Sequence, residues 1–143
     1  SDIAIQDEKG RYYIKGRNSN MILGPSGENI YPEEIENVIN NVEGVSESIV
    51  VEREGRLVAL VQPMENYIEW DGENLDKIYD FIENWKDKVL KGVNKNVNKS
   101  SQVSSVEVMK EPFEKTATQK IRRFKYKDSA PTVEQEKKEK KKE

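Results

Sequence analysis

The chain has no cysteine and no histidine among its 143 residues. The first absence rules out disulfides, a thiolate nucleophile and cysteine-held metal, and the second removes the commonest general base and metal ligand. Any chemistry must rest on carboxylates, lysine, arginine, hydroxyls or the backbone. Long apolar runs are missing too: no stretch approaches the roughly 18 residues that span a bilayer, and the first residues form no hydrophobic signal segment. A soluble, cytoplasmic chain is expected. Neither sign of charge dominates, since 24 basic and 27 acidic residues leave a net charge of −3, so no nucleic-acid partner is expected.

Apolar residues are scarce at 34%, while charged residues reach 36% against a usual value of about 25%. Much of the excess lies at the end. From Lys127 the sequence KDSAPTVEQEKKEKKKE holds one valine and no aromatic residue, too little apolar surface to offset the entropy of ordering. Residues 127–143 are expected to be a disordered charged tail. The remaining length suits one domain that buries a single modest core.

What is present concentrates in two places. Gly24-Pro25-Ser26-Gly27 is a loop in which glycine reaches positive φ cheaply and proline fixes φ, so the backbone is either sharply turned or closely approached. Pro32-Glu33-Glu34 comes next, and suits a first helical turn: proline loses no hydrogen bond there and carboxylates favour the positive end of the helix. Residues alone leave this open as an ordinary strand-loop-helix connection. The second place is Glu114-Lys115-Thr116-Ala117-Thr118-Gln119-Lys120-Ile121-Arg122-Arg123, a polar turn presenting Lys120, with Ile121 and Phe124 placed to pin the chain beyond it.

Between these landmarks the pattern is α+β. Residues 2–16 alternate around Asp7 to Gly10 and read as a hairpin. Ile35, Val38, Ile39 and Val42 lie at helical spacing, with Gly44 as the stop. Val45–Glu52 and Leu57–Gln62 form a second hairpin around Arg53-Glu54-Gly55-Arg56, and the second run, apolar on both faces, should be a central strand. Leu75, Ile78, Ile82, Trp85, Val89, Val93 and Val97 mark a long amphipathic helix that frays or ends from Gly92, and Val103, Val106 and Val108 a third strand. The expected fold is a small α+β domain: an N-terminal two-stranded hairpin and hinge lead-in over 1–18, then, over 19–126, a mainly antiparallel sheet of about three strands flanked by helices.

Gly16-Arg17, Met21-Ile22 and Gly27-Glu28-Asn29-Ile30-Tyr31-Pro32-Glu33-Glu34-Ile35-Glu36, together with the 114–123 segment, resemble the C-terminal domain of acyl-adenylate-forming enzymes. Within that family the resemblance is strongest to bacterial acyl-CoA synthetases, the long-chain fatty acid-CoA ligases. It implies an ATP-dependent acid-thiol ligase that activates a carboxylate as acyl-AMP and passes the acyl group to CoA. ATP, Mg²⁺ and CoA would serve the full-length enzyme, with Mg²⁺ held at the ATP phosphates by an N-terminal adenylation domain. The fragment alone should be inactive, and no metal ligand is assigned to it.

The same resemblance assigns roles. Lys120 would be the catalytic cation, delivered to the reacting phosphate by a mobile loop; Asp2 and Arg17 would bind the nucleotide ribose; Ser19 would be the hinge, although the family usually carries Asp or Lys there. Gly24, Pro25, Ser26, Gly27 and Glu28 would line the CoA tunnel, the glycines letting the backbone approach the pantetheine arm. The family commonly has glycine before the lysine, where this chain has Gln119. Asp2 falls where the adenylation domain's terminal aspartate belongs, so the chain would begin inside a longer protein, with Ser1 foreign to it. Without the resemblance, Asp2 and Arg17 read as solvated side chains. Two alternatives stand beside this reading: a related ligase loading a carrier protein, and a stand-alone interaction module whose lysine-rich tail meets a protein or, peripherally, an anionic membrane.

Overall fold

The computed structural model describes residues 2–6, 12–17, 20–72 and 74–142, the first two stretches and 140–142 as backbone only. Strands β1 (Asp2–Gln6) and β2 (Tyr12–Arg17) pair antiparallel, which is the expected hairpin. Its turn and Ser19 lie outside the described residues.

Two short strands come next, β3 (Ile22–Leu23) and β4 (Asn29–Ile30), closing the glycine-rich loop into a small hairpin. Helix α1 (Pro32–Ile39) starts immediately after, with Pro32 in its first turn beside Glu33 and Glu34, as the residue types require. It is shorter than the spacing suggests. Asn40 caps it, and Gly44 instead serves the turn into the next strand at φ +89°, where a Cβ would fall 2.5 Å from the Tyr67 ring.

Strands β5 (Val45–Arg53) and β6 (Arg56–Pro63) form the main hairpin. Glu54 and Gly55 both take positive φ, 53° and 77°, matching the twist of a two-residue hairpin turn. Strand β7 (Ser105–Val108) adds to the other side of β6, which is therefore central as its two-sided apolar sequence demands. The pairing of β6 with β7 is parallel, so the three-stranded sheet is mixed. Helix α2 (Leu75–Asn96) dictates this: a helical crossover returns the chain to the same end of the sheet. Asn74 caps α2, accepting a 3.2 Å hydrogen bond from the Lys77 amide, and the helix runs through Gly92, where Val42 packs beside the bare backbone.

Period-two alternation gives the sheet two buried faces. Val50, Leu57, Ala59, Val61, Val106 and Val108 meet Ile35 and Ile39 of α1 and Ile82, Trp85, Val89 and Val93 of α2. Ile49, Val51, Val58 and Leu60 face the other way, against Met109, Phe113, Tyr126 and Ala130. That second layer contains no long helix: it is the segment after β7, pulled over the sheet and bearing the 114–123 loop.

The expected disordered tail is corrected in the same region. Ala130, Thr132 and Val133 are buried, and helix α3 (Val133–Lys142) begins there. The little apolar surface of the tail is concentrated at its root, and its acids are used inward. The Glu134 carboxylate accepts from the Val108 amide at 2.8 Å and pairs with Lys86 at 2.7 Å, while Thr132 donates to Glu107. Composition averages hid this anchor. Among the described residues no helix is long and apolar enough to cross a membrane.

Candidate functional site

The glycine loop is fixed by its own backbone. The Gly24 amide donates to the Glu28 carbonyl at 2.8 Å and the Gly27 amide to the Gly24 carbonyl at 3.0 Å. Its two glycines differ in setting: Gly27 takes φ +82° in open space, whereas Gly24 is buried with the flexible end of the Glu28 side chain lying over it. Pro25 and Ser26 are exposed at the tip, Glu28 is half-buried, and Leu23 beside them is 64% exposed. With Glu52, Arg56 and Leu57 this loop borders a cleft of about 640 Å³.

The lysine loop is a tight polar turn. The Thr116 amide donates to the Lys120 carbonyl at 2.8 Å, the Gln119 amide to the Thr116 carbonyl at 2.9 Å, and Lys115 bridges Ile121. The two threonine hydroxyls meet at 3.0 Å, and the Lys120 amide reaches Thr116 Oγ1 at 3.3 Å. Gln119 stands at φ +65°, a left-handed position suited to glycine. Lys120 itself is exposed, and lines a cleft of about 630 Å³ with Glu33, Glu36, Glu47, Arg123 and Phe124. This cleft shares no lining residue with that of the glycine loop. A larger cavity of about 1020 Å³, between Lys110–Glu114 and the start of α3, holds none of the predicted residues.

Two ion pairs fasten the lysine loop to the sheet layer. Lys115 meets Glu47 of β5 at 2.8 Å, both half-exposed. Arg123 forks onto Glu36 of α1, Nη1 to Oε2 at 2.6 Å and Nη2 to Oε1, while the Val50 amide donates to Oε2 at 2.8 Å. Glu36 is only 5% exposed. Burial pushes its carboxyl above the usual carboxylate range, with Arg123 and the Val50 amide pulling it back; Arg123 is held further in its charged form by the same carboxylate, against burial.

Phe124 is not the pin that its sequence position suggests. It is 71% exposed, with the Arg122 guanidinium 5.2 Å from its ring centroid. The segment is held instead by Tyr126, packed edge-on to Phe113, and by Arg53, which donates to the carbonyls of Tyr126 and Lys127 at 3.0 and 3.1 Å.

The family model described as AMP-binding enzyme C-terminal domain matches residues 20–135, which include both loops. The chain belongs to that family. Over 64 residues it is 45% identical to a long-chain-fatty-acid–CoA ligase of Mycobacterium tuberculosis, covering 42% of this chain and 12% of that protein. Over 50 residues it is 48% identical to a 2-succinylbenzoate–CoA ligase of Listeria monocytogenes, covering 35% and 10%. A solved fatty acyl CoA synthetase of Mycobacterium tuberculosis superposes with a TM-score of 0.58 at 28% identity, over 86% of this chain and 22% of that one. The matched stretches thus span about a tenth of the curated relatives and about a fifth of the solved chain.

In this AMP-binding enzyme C-terminal domain the predicted residues fall into three groups. Gly24, Pro25, Ser26, Gly27 and Glu28 form one loop, Lys120 belongs to another, and Asp2 and Arg17 are register partners across β1 and β2. Ser19 lies outside the described residues. Among the described residues no group of three acidic side chains converges on a point that could hold a metal ion. The residues that sequence reasoning missed are Glu36 and Arg123. A signal was present: Pro32, Ile35, Glu36 and Ile39 match the i, i+3, i+4, i+7 pattern of a buried stripe, so Glu36 is a charge in an apolar row and needs a cationic partner.

Proposed function

We propose that this chain is the mobile C-terminal domain of an ATP-dependent acyl-CoA ligase, and that its carboxylate substrate is a fatty acid. The observation that carries the reading is the separation of the two loops into clefts with no lining residue in common. One domain with two functional faces suits an enzyme that runs two half-reactions in one active site by turning the domain between them. Sequence similarity to a fatty acid ligase supports the substrate class.

In the first half-reaction a carboxylate oxygen attacks the α-phosphorus of ATP and the bond to pyrophosphate breaks. Two anions must meet, and Lys120 supplies a compact cation on a long stem where charge builds up. In the second, the CoA thiol attacks the acyl carbon and the bond to AMP breaks. The glycine loop then faces the thiol arm, Gly24 and Gly27 offering bare backbone. Asp2 and Arg17 are assigned to the ribose, Ser19 to the pivot, and Mg²⁺ to the ATP phosphates on the adenylation domain. A cytoplasmic setting belongs to the same proposal.

The test is Lys120→Ala in the enzyme that joins this chain to its adenylation domain. Acyl-AMP formation, measured as ATP–pyrophosphate exchange, should fall about 10²- to 10³-fold, while thioester formation from supplied acyl-AMP survives. Lys115→Ala, which removes only the Glu47 pair, should leave both steps nearly unchanged. Loss of adenylation in Lys115→Ala but not in Lys120→Ala would place the catalytic role on the wrong lysine.

A further inference from the structure

Lys120 closes the neck of its turn, its carbonyl accepting from the Thr116 amide and its own amide reaching Thr116 Oγ1. Two ion pairs also tie the turn to the rest of the domain, and they differ in kind. Lys115–Glu47 is a single half-exposed contact, which a flexible ammonium can satisfy in many orientations. Arg123 presents a rigid fork to both oxygens of a carboxylate that is itself buried and fixed by the Val50 amide. A planar bidentate pair is satisfied in one orientation only. Arg123 lies three residues beyond Lys120, and the intervening backbone is stiffened by the Arg123 amide donating to the Ile121 carbonyl and the Arg122 amide to the Glu114 carbonyl, each at 2.9 Å.

Glu36, for its part, belongs to the helix that begins directly after the glycine hairpin. One carboxylate therefore ties the lysine loop to the helix that follows the glycine hairpin, across 87 residues of sequence. We propose that Arg123 is a positioning residue for Lys120, holding it through Glu36 in the orientation that the first half-reaction uses. The proposal rests on the role given to Lys120 above. The pair then does more than hold the fold: it fixes where the ammonium arrives when the domain docks.

The discriminating variant is Arg123→Lys in the complete ligase, measured beside Lys120→Ala. Lysine at 123 keeps a charge beside Glu36, so the domain stays folded, but it loses the fork and with it the aim. The kcat of ATP–pyrophosphate exchange should fall about 10- to 100-fold, the penalty of a misplacement near 1 Å. KM for ATP and the rate of thioester formation from supplied acyl-AMP should stay within about twofold of wild type, since neither needs Lys120 placed. If exchange is unchanged in Arg123→Lys while Lys120→Ala abolishes it, the positioning role is wrong and the ligase reading stands. If both half-reactions fall together in Arg123→Lys, the pair is structural only, and the positioning role is again overturned. If Lys120→Ala itself leaves exchange intact, the ligase reading falls first and takes this inference with it.

Discussion

The two loops reach fixed conformations by opposite means. The glycine loop is written locally, with two glycines, one proline and a flanking pair of two-residue strands closing it within nine residues, Ile22 to Ile30. The lysine loop is written at a distance. Its turn chemistry closes a neck, but its place on the domain depends on Glu36, Glu47 and Arg53, which come from α1 and β5. A locally written loop should be damaged by changes in backbone freedom, and a remotely written one by changes in charge far away in sequence.

The largest effect should therefore come from Arg123. Arg123→Ala leaves the Glu36 carboxylate buried with only the Val50 amide, and should cost about 3 to 5 kcal/mol of unfolding free energy in urea. Its pH dependence has a definite sign. With the guanidinium gone, the native carboxyl rises further above its value in the unfolded chain, so between those values the native state binds more protons. Stability of the variant then increases as pH falls, and its deficit against wild type should shrink from pH 7.5 to pH 5. A deficit that grows on acidification would mean that Glu36 is solvated in the variant.

Gly27 is the matching lesion in the other loop. Gly27→Leu has room for its side chain but must adopt φ +82°, which should cost about 1 to 2 kcal/mol; Gly27→Asn, better suited to the left-handed region, should cost less. In the complete ligase Gly27→Leu should slow thioester formation more than adenylation. Equal losses in the two steps would remove the glycine loop from the CoA-facing role.

Smallest of all should be Gln119→Gly. It relieves the left-handed φ of +65° and adds chain entropy to the unfolded state, two effects that nearly cancel, so the unfolding free energy should move by less than about 1 kcal/mol. Gln119→Val, β-branched at the same φ, should be clearly worse. Parity between the two in urea unfolding would show that the turn is not held in this conformation in solution.

These contrasts also mark what could be read from the sequence. Strand β6 was legible as central because its run is apolar on both faces, and α1 because proline and two acids open it. The turn of the lysine loop was legible from its threonines. The cover on the second face of the sheet was not, because the segment from Met109 to Ala130 has no periodicity: it contributes isolated anchors, Phe113 and Tyr126, separated by charged residues. The parallel placement of β7 was hidden for a related reason, since a four-residue strand carries no signal of direction and only the crossover of α2 fixes it. Helix α3 was obscured by its composition, and Val133 alone among its residues is an apolar anchor.

The cover of that second sheet face has a consequence for the order in which the protein is made. Ile49, Val51, Val58 and Leu60 leave the ribosome long before Phe113, Tyr126 and Ala130. At about 5 to 20 residues per second, the 70 residues from Leu60 to Ala130 take roughly 4 to 14 s. Throughout that interval the nascent hairpin shows a bare row of β-branched and leucine side chains with nothing to lay over it. A chain released before Tyr126 would carry that row permanently, as a sticky sheet face prone to self-association. The segment that bears Lys120 is thus also the shutter over that face of the nascent domain.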